Sequence, residues 1–425
     1  MSFSQALSGL NAQQQSLGAI GNNIANSQTV GFKSSSVQFA DVFANSRIGL
    51  GTRVSAVLQN FNEGNVESTN RNLDLAISGT GFYRFEQGGE VVYSRNGQLN
   101  LTPEGFLQNA QGARLMGYPY NDATGAVMAG GQPGVLQVNS DELQANATTN
   151  VATTFNLDSR YEAGVDLNEA TVRTDLADPL VTAPVAYHFS NNFTVYDSLG
   201  NPKNITVYYE KIDEDVDGNP VTNTWNARVA MDGFYDSGND FTIQFNNRGL
   251  LQAVTGDNVE GNIPQIGFSE AQLGGDPEAL SFGLNIAGST QFGNNSTTSA
   301  LTQNGYTSGA LVGITIEDDG TIMRNYANEQ SRPAGQITLA NFRNPEGLRP
   351  EGDNAWVATQ ASGQELLGAP GTGQLGLIVS GAVETSNVDM ARELVNMIVS
   401  QRAYQANSQT IKTQDELLQT AINLR

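Results

Sequence analysis

Residues 3–33 read FSQALSGLNAQQQSLGAIGNNIANSQTVGFK and carry no charged side chain before Lys33. Apolar residues recur along this stretch at alternating steps of four and three, a spacing that places them on one face of a helix. The pattern ends in front of a polar segment and predicts a helix over residues 1–25. The apolar side chains that mark its face are Leu7, Leu10, Leu17 and Ile24.

The other end of the chain repeats this pattern and predicts a helix over residues 388–425. The apolar positions are Leu394, Met397, Tyr404, Ile411, Leu418 and Ile422. Two gapped apolar stripes predict a coiled-coil pair, although an amphipathic helix pair packed on its own domain fits the same spacing. Burying the apolar face of the first helix contributes about 7–15 kcal/mol, whereas ordering its backbone costs about 25–50 kcal/mol. We therefore expect these helices to become stable only when they pack against other subunits.

The chain between the two helices is rich in turn residues, with 46 glycines overall, and its short apolar runs predict strands. The sequence RNGQ at 95–98 predicts a hairpin turn, and longer hairpins are predicted in a separate block at 149–304. If the terminal helices pair, the chain must go out and return, which nests its domains. We thus predict a mainly β multidomain protein with nested discontinuous domains. The predicted parts are terminal helices 1–25 and 388–425, an extended connector 26–72 and 373–387, a β-rich middle domain 73–148 and 305–372, and an inserted outer β domain 149–304.

Composition argues against several classes of function. The net charge of −22 opposes binding to nucleic acid and to anionic membrane surfaces, and no apolar run is long enough to insert into a bilayer. The absence of cysteine excludes disulfides and thiolate metal sites. One histidine, His188, leaves little room for histidine-dependent catalysis. The start of the chain lacks the basic and apolar regions of a cleavable secretory signal, so export would use another route.

Two local patterns resemble catalytic or cofactor signatures but lack their context. Gly371, Gly373 and Gly376 match a dinucleotide fingerprint, yet a strand-like run follows them where a helix is required to meet the pyrophosphate. Asp318 and Asp319 form a carboxylate pair within a predicted tight turn, where adjacent side chains diverge. We therefore predict no cofactor and no enzymatic activity.

The sequence DEDVDG is the candidate metal site, because Asp213, Asp215 and Asp217 match the opening of a calcium loop. The twelfth position of such a loop is Thr224, which cannot supply the bidentate carboxylate. Both flanks read as strands, which favours a solvated acidic hairpin loop over a calcium site.

The terminal segments resemble the bacterial flagellar rod and hook proteins. In that family a helix ends at an A-N-x-x-T-x-G-F-K stretch, and ETSNVDMARELVNMIVSQRAYQANSQT is similar to the family's carboxy-terminal signature. The segments AISGTGFYRF and GQITLANFRNPEGL resemble its shared middle domain, and the inserted block indicates a hook-type rather than a shorter rod-type member. The matching motif residues are Ala25, Asn26, Thr29, Gly31, Phe32 and Lys33.

This resemblance implies a structural subunit that polymerises into a short curved tube outside the cell and passes torque from rod to filament. The implied partners are further copies of the chain, the distal rod protein, the hook cap protein, the hook–filament junction protein and the type III export apparatus. Phe39 and Phe43 resemble a patch that such substrates present to the export gate, although a buried aromatic pair would look the same. A distal-rod-like or junction protein, or a secreted β-rich adhesin, remains an alternative.

Overall fold

A computed structural model describes residues 3–42, 49–121, 125–128, 130–214 and 218–423, without the side chains of residues 421 and 423. The chain divides into two compact units. Unit 1 contains Met1–Ser140, Val312–Asn325 and Ser331–Arg425, and unit 2 contains Asp141–Leu311 and Tyr326–Gln330. Phe43, Asp215 and Asp217, which belong to the predicted export patch and calcium loop, lie outside the described residues.

The elements follow one another from a long amino-terminal helix, through strands, to a longer carboxy-terminal helix. The first are α1 (Phe3–Ala25), β1 (Ser35–Val42), β2 (Gly51–Gln59), β3 (Val66–Ser68), β4 (Asp74–Ser78), β5 (Phe82–Gln87), β6 (Glu90–Ser94), β7 (Gly97–Gln98), β8 (Asn100–Leu101), β9 (Leu107–Gln108), β10 (Arg114–Asn121), β11 (Ala126–Val127) and β12 (Gly134–Val135). Next come β13 (Asn150–Asp158), β14 (Asn168–Arg173), β15 (Thr182–Tyr187), β16 (Phe189–Tyr196), β17 (Pro202–Glu214), β18 (Pro220–Met231), β19 (Phe234–Tyr235), β20 (Phe241–Phe245), β21 (Leu251–Thr255), β22 (Val259–Glu260), β23 (Ile263–Phe268), α2 (Glu270–Leu273), β24 (Leu280–Asn285), β25 (Thr290–Phe292) and β26 (Thr297–Gln303). The last are β27 (Leu311–Ile316), β28 (Thr321–Tyr326), β29 (Ser331–Ile337), β30 (Leu339–Asn341), β31 (Arg349–Gly352), β32 (Ala355–Val357), β33 (Leu366–Gly368), β34 (Leu377–Ser380), β35 (Ala382–Glu384) and α3 (Met390–Asn423).

The terminal helices and the mainly β character are confirmed. Helix α1 ends at the predicted Ala25, beyond which the Asn26 amide bonds back to Asn22. Helix α3 begins where Asp389 accepts hydrogen bonds from the backbone N–H groups of Ala391 and Arg392, which satisfies donors that a helix start leaves free. Within the described ranges, no helix combines the length and apolarity needed to cross a membrane.

Strands β1 and β2 form an antiparallel hairpin beside α1, in a segment that the sequence predicted only as an extended connector. A bulge between Gln38 and Phe39 interrupts its register. The Asn23 amide of α1 donates to the Ser35 carbonyl at 2.8 Å and accepts from the Ser35 N–H at 2.9 Å. Because Asn23 is buried, this pair of bonds fixes the hairpin to the end of the helix.

The middle of unit 1 contains a fourteen-stranded sheet whose main path is β27-β28-β29-β10-β5-β6-β32-β31, with smaller sheets β34-β4-β7 and β3-β35. The predicted RNGQ hairpin is wrong, because β6 pairs with β5 and β32 whereas β7 pairs with β4. A Cβ at Gly97 would lie 2.0 Å from the Leu75 carbonyl oxygen. Glycine is therefore required where the chain crosses tightly between sheets.

Unit 2 is built from a six-stranded sheet that contains β13 and β22–β26 and from an eight-stranded sheet that contains β14–β21. The long hairpins expected here are confirmed by antiparallel pairing of β16 with β17 and of β17 with β18. Alternate residues of these strands point inwards, so both sheets contribute to one apolar core. Its largest fully buried side chains are Trp225, Tyr209, Phe155, Phe245, Phe268 and Phe282.

Candidate functional site

The two terminal helices lie against each other through small residues. The hydroxyls of Ser16 on α1 and Ser400 on α3 are 3.5 Å apart. A Cβ at Gly9 would lie 2.9 Å from the Asn407 Nδ2 atom, so glycine allows close approach of the helices. The buried side chains of α1 are Ala6, Ala12, Ile20 and Asn23.

The predicted apolar stripes are only partly covered in the single chain. Leu7, Leu394, Tyr404, Leu418 and Ile422 are exposed, and Leu10, Leu17, Ile24, Met397 and Ile411 are half-buried. Helix α3 also exposes large apolar residues that flank its stripe, namely Val395, Ile398, Val399 and Leu417. A contiguous apolar surface of this kind is typical of a protein–protein interface.

The export-patch residue Phe39 lies on β1 with 45% of its surface exposed. Phe39 is thus not part of a buried aromatic pair, which was the alternative explanation of the motif. Its role in export stays a prediction.

The family motif forms the exit from α1. The Thr29 hydroxyl donates to the Asn26 side-chain oxygen, and this hydrogen bond stabilises the turn that follows the helix. Gly31 adopts a left-handed φ of 72°, and its N–H donates to the Glu384 carbonyl oxygen at 2.8 Å. The turn directs Phe32 and Lys33 into the interior, where both are buried.

Lys33, Arg95 and Glu384 form a cluster that we term the ionic junction. Lys33 Nζ donates to Glu384 Oε1 at 2.6 Å and to the Asn62 carbonyl at 2.7 Å. Arg95 Nη1 donates to Glu384 Oε2 at 3.1 Å, and its Nη2 donates to the Gly79 carbonyl at 2.8 Å. The side chains of Lys33 and Glu384 are 0% and 1% exposed, so water does not screen the interaction between their charges.

The electrostatic balance of the ionic junction is asymmetric. Two cations share one buried carboxylate, and the exposed Glu63 adds a weaker attraction to Lys33. Burial lowers the pKa of the Lys33 ammonium, and the attraction of Glu384 opposes that shift. The pairing therefore does not fully compensate the loss of water around Lys33.

The remaining sequence candidates occupy structural positions. Gly371, Gly373 and Gly376 lie in the loop between β33 and β34, and a Cβ at Gly376 would lie 2.3 Å from the Ser78 carbonyl oxygen. No helix follows them to receive a pyrophosphate, since β34 begins at Leu377.

The acidic candidates likewise lie in turns. Asp319 accepts from the Thr321 N–H and hydroxyl in the turn between β27 and β28, beside Asp318. Asp213 is exposed near the end of β17. The preference for a solvated hairpin loop over a calcium site therefore stays a prediction, because Asp215 and Asp217 lie outside the described residues.

His188 is buried in unit 2, and its ring nitrogens form hydrogen bonds with main-chain groups. Its Nδ1 accepts from the Lys211 N–H at 3.1 Å, so the ring proton is on Nε2. Nε2 lies 3.2 Å from the Glu162 carbonyl and 3.1 Å from the Val165 carbonyl, to which it donates. The arrangement uses both ring nitrogens to organise a loop.

Replacing His188 by phenylalanine should lower the free energy of unfolding of unit 2 by about 1–3 kcal/mol, because the Lys211 N–H and the Glu162 and Val165 carbonyls lose their hydrogen-bond partner. Fluorescence of Trp225, whose ring centroid is 5.8 Å from that of His188, would follow unfolding in a Trp356→Phe background. His188→Asn, which keeps an acceptor and donors, should recover part of the loss. An unchanged unfolding midpoint for the phenylalanine variant would contradict this structural role.

Comparisons with known protein families agree with this arrangement. Residues 4–33 match the family described as flagella basal body rod protein, and residues 76–154 match the D1 domain of flagellar hook protein FlgE/F/G. Residues 156–306 match the flagellar basal body protein FlaE D2 domain, and residues 379–424 match the carboxy-terminal region of the flagellar basal body rod FlgEFG proteins. These matches define an axial protein of the flagellar rod and hook class.

Individual relatives show which member of the rod and hook class this chain resembles. The chain is 41% identical over 435 residues to flagellar hook protein FlgE of Escherichia coli and 42% identical over 427 residues to that of Salmonella typhimurium, with 100% of each chain covered. It is 33% identical over 457 residues to FlgE of Borreliella burgdorferi, covering 100% of this chain and 99% of that one. The chain therefore belongs to the flagellar hook protein family and has the role of a hook subunit.

A solved structure supports the fold independently of close sequence similarity. The crystal structure of Helicobacter pylori flagellar hook protein FlgE2 matches with a TM-score of 0.53 at 12% identity, covering 75% of this chain and 100% of that chain. At this identity the match concerns the fold alone.

Proposed function

We propose that copies of this chain polymerise through the exposed apolar faces of α1 and α3, which pack as coiled coils into the inner wall of a tube. The observation that carries the proposal is the apolar surface of α3, where Leu394 is 47%, Val399 62% and Ile422 71% exposed. Such side chains are costly to leave in water, and a neighbouring copy offers the same kind of surface. The role is structural rather than catalytic.

The free energy of association indicates that each subunit needs contacts with more than one neighbour. Burying about six large apolar side chains contributes on the order of 10 kcal/mol per subunit. Association costs about 4–15 kcal/mol in lost translational and rotational freedom, so a single helix contact is marginal. A helical polymer solves this difficulty because each subunit contacts several neighbours at once.

The tube would act as a flexible joint that passes torque from the rod to the filament. When a curved tube rotates, every row of subunits must lengthen and shorten once per turn. We propose that the inner helices keep the tube continuous while the inserted outer domain yields. In this proposal the predicted domains are nested, with the terminal helices innermost and 149–304 outermost.

The further partners follow from family membership rather than from a described contact. We propose the distal rod protein, the hook cap protein and the hook–filament junction protein as axial neighbours. Export would proceed through the type III apparatus without a cleavable signal, to a final position in the hook outside the cell. Neither nucleic acid nor membrane insertion is part of this proposal.

Replacing Leu394 and Ile398 together by serine should raise the critical concentration for polymerisation by about 100-fold, since two lost contacts of roughly 1.5 kcal/mol each act on one equilibrium. Light scattering and electron microscopy of the full chain would measure the effect. The same two substitutions should leave the unfolding midpoint of the monomer nearly unchanged, because both side chains are exposed.

The matched control replaces Gln405 and Gln409, which are exposed polar residues of the same helix, by serine. This control keeps the change in helix propensity but removes no apolar contact. Polymerisation of both double variants at the same concentration would rule out the α3 surface as the assembly interface.

A further inference from the structure

Glu384 is the point at which separate segments of unit 1 meet. Its Oε1 accepts from Lys33 Nζ at 2.6 Å and from the Gly64 N–H at 2.8 Å, while Oε2 accepts from Arg95 Nη1 at 3.1 Å. Its main-chain oxygen accepts from the Gly31 N–H at 2.8 Å. One residue thus joins the exit from α1, the loop before β3 and the end of β6.

Both terminal helices leave the β strands of unit 1 close to this residue. Lys33 lies shortly after Ala25, the last residue of α1, and Met390, the first residue of α3, lies shortly after Glu384. No other ion pair within the described ranges joins the α1 exit to the segment before α3. The ionic junction is therefore the charged connection between the helix pair and the sheets.

Directional amide contacts reinforce the same place. The Ser34 N–H donates to the Asn387 side-chain oxygen at 2.8 Å, and Asn387 Nδ2 donates to the Asn60 and Asn62 carbonyls at 2.8 and 3.0 Å. Asn354 Nδ2 donates to the Val30 carbonyl at 3.0 Å. Such bonds require defined angles, whereas apolar contacts at the same positions would tolerate sliding.

The cost of the ionic junction argues that it serves geometry rather than stability. Buried ion networks are often no more stabilising than well-packed apolar residues of similar volume, and they are retained in several proteins because they specify one arrangement. Here two buried cations depend on one buried carboxylate, and Glu63, which also attracts Lys33, is exposed. A second cation on the same carboxylate adds a desolvation cost that a purely stabilising contact would avoid.

We infer that Glu384 and Lys33 are positioning residues that fix the direction of α1 and α3 relative to the sheets of unit 1, so that rotation of the helices carries the sheets with it. This inference rests on the proposed function, because it assigns the path by which torque leaves the inner helices. It requires no contact between units and no further ligand.

The experiment uses the full chain, which has no native cysteine, so two introduced cysteines carry spin labels without background. Gln15→Cys on α1 and Glu90→Cys on β6 replace exposed residues. Pulsed electron double resonance should give a narrow distance distribution, and adding Lys33→Met should broaden it. Lys33→Met leaves a neutral Arg95–Glu384 pair, so the melting temperature should shift by less than about 4 °C.

Arg84→Met is the control, because Arg84 on β5 pairs with Glu365 at 3.0 Å within unit 1 but bonds to neither helix exit. It should lower the melting temperature without broadening the distances. A Lys33→Met distribution as narrow as that of the parent chain would overturn the inference, as would equal broadening by Arg84→Met. Electron microscopy of the labelled parent chain tests the proposed function separately, since absence of tubes would reject polymerisation whatever the distances show.

Discussion

Replacing Glu384 by glutamine should lower the free energy of unfolding of unit 1 by about 3–5 kcal/mol, the loss typical of removing one partner from a buried ion network. The change is nearly isosteric, so no cavity contributes. It leaves Lys33 and Arg95 as adjacent buried cations, and the new amide nitrogen faces one of them instead of accepting its hydrogen bond. Denaturant unfolding followed by Trp356 fluorescence in a Trp225→Phe background would measure the loss, because Trp356 belongs to unit 1.

Glu365→Gln provides the comparison for this prediction. Glu365 also pairs with an arginine in unit 1, but its side chain is 26% exposed and only one cation depends on it. Water can solvate the arginine that the substitution leaves unpaired, so the loss should be smaller, roughly 1–2 kcal/mol. Equal losses for the two variants would mean that Glu384 acts as an ordinary ion-pair partner rather than as the centre of a network.

The helical ends and the β character of the middle could be predicted from the sequence because both depend on local periodicity. Helix α1 ends at the predicted residue, and the hairpins of β16, β17 and β18 fall where apolar alternation and turn residues indicated them. The hairpin of β1 and β2 was missed, since β1 carries few β-branched residues and the pair depends on contacts with α1 such as Asn23 with Ser35.

The ionic junction could not be predicted, because Lys33 and Glu384 are 351 residues apart and only the tertiary fold brings them together. A signal was nevertheless present. Lys33 is the first charge in the chain, and Glu384 is the only charged residue in the mainly apolar and small-residue run between Glu365 and Asp389. An isolated charge within such a segment indicates a buried partner of opposite sign. By this rule, Lys33 and Glu384 are each expected to have a buried partner, and their opposite charges make them candidates for one another.

Replacing Gly31 by alanine should lower the free energy of unfolding of unit 1 by about 2–5 kcal/mol. An L-residue at its left-handed φ of 72° costs about 1–2 kcal/mol, and overpacking against fixed neighbours adds about 1–3 kcal/mol. The new Cβ would lie 2.7 Å from the Asn96 nitrogen and 2.8 Å from the Arg95 carbonyl carbon. Both are main-chain atoms, so rotation of a side chain cannot relieve the clash. Relief of this collision would shift Arg95 and disturb the ionic junction as well.

Gly88→Ala separates backbone strain from the collision, because Gly88 has a similar φ of 62° but no heavy atom within 4 Å of the place that a Cβ would occupy. Gly88→Ala should therefore cost only the strain, about 1–2 kcal/mol. The same Trp356 unfolding assay would report both variants. If they lose equal stability, the close contact behind Gly31 does not exist, and the motif glycine would serve only to reverse the chain after α1. A larger loss for Gly31→Ala means that this glycine is required by the approach of the α1 exit to Arg95, which the ionic junction needs in order to form.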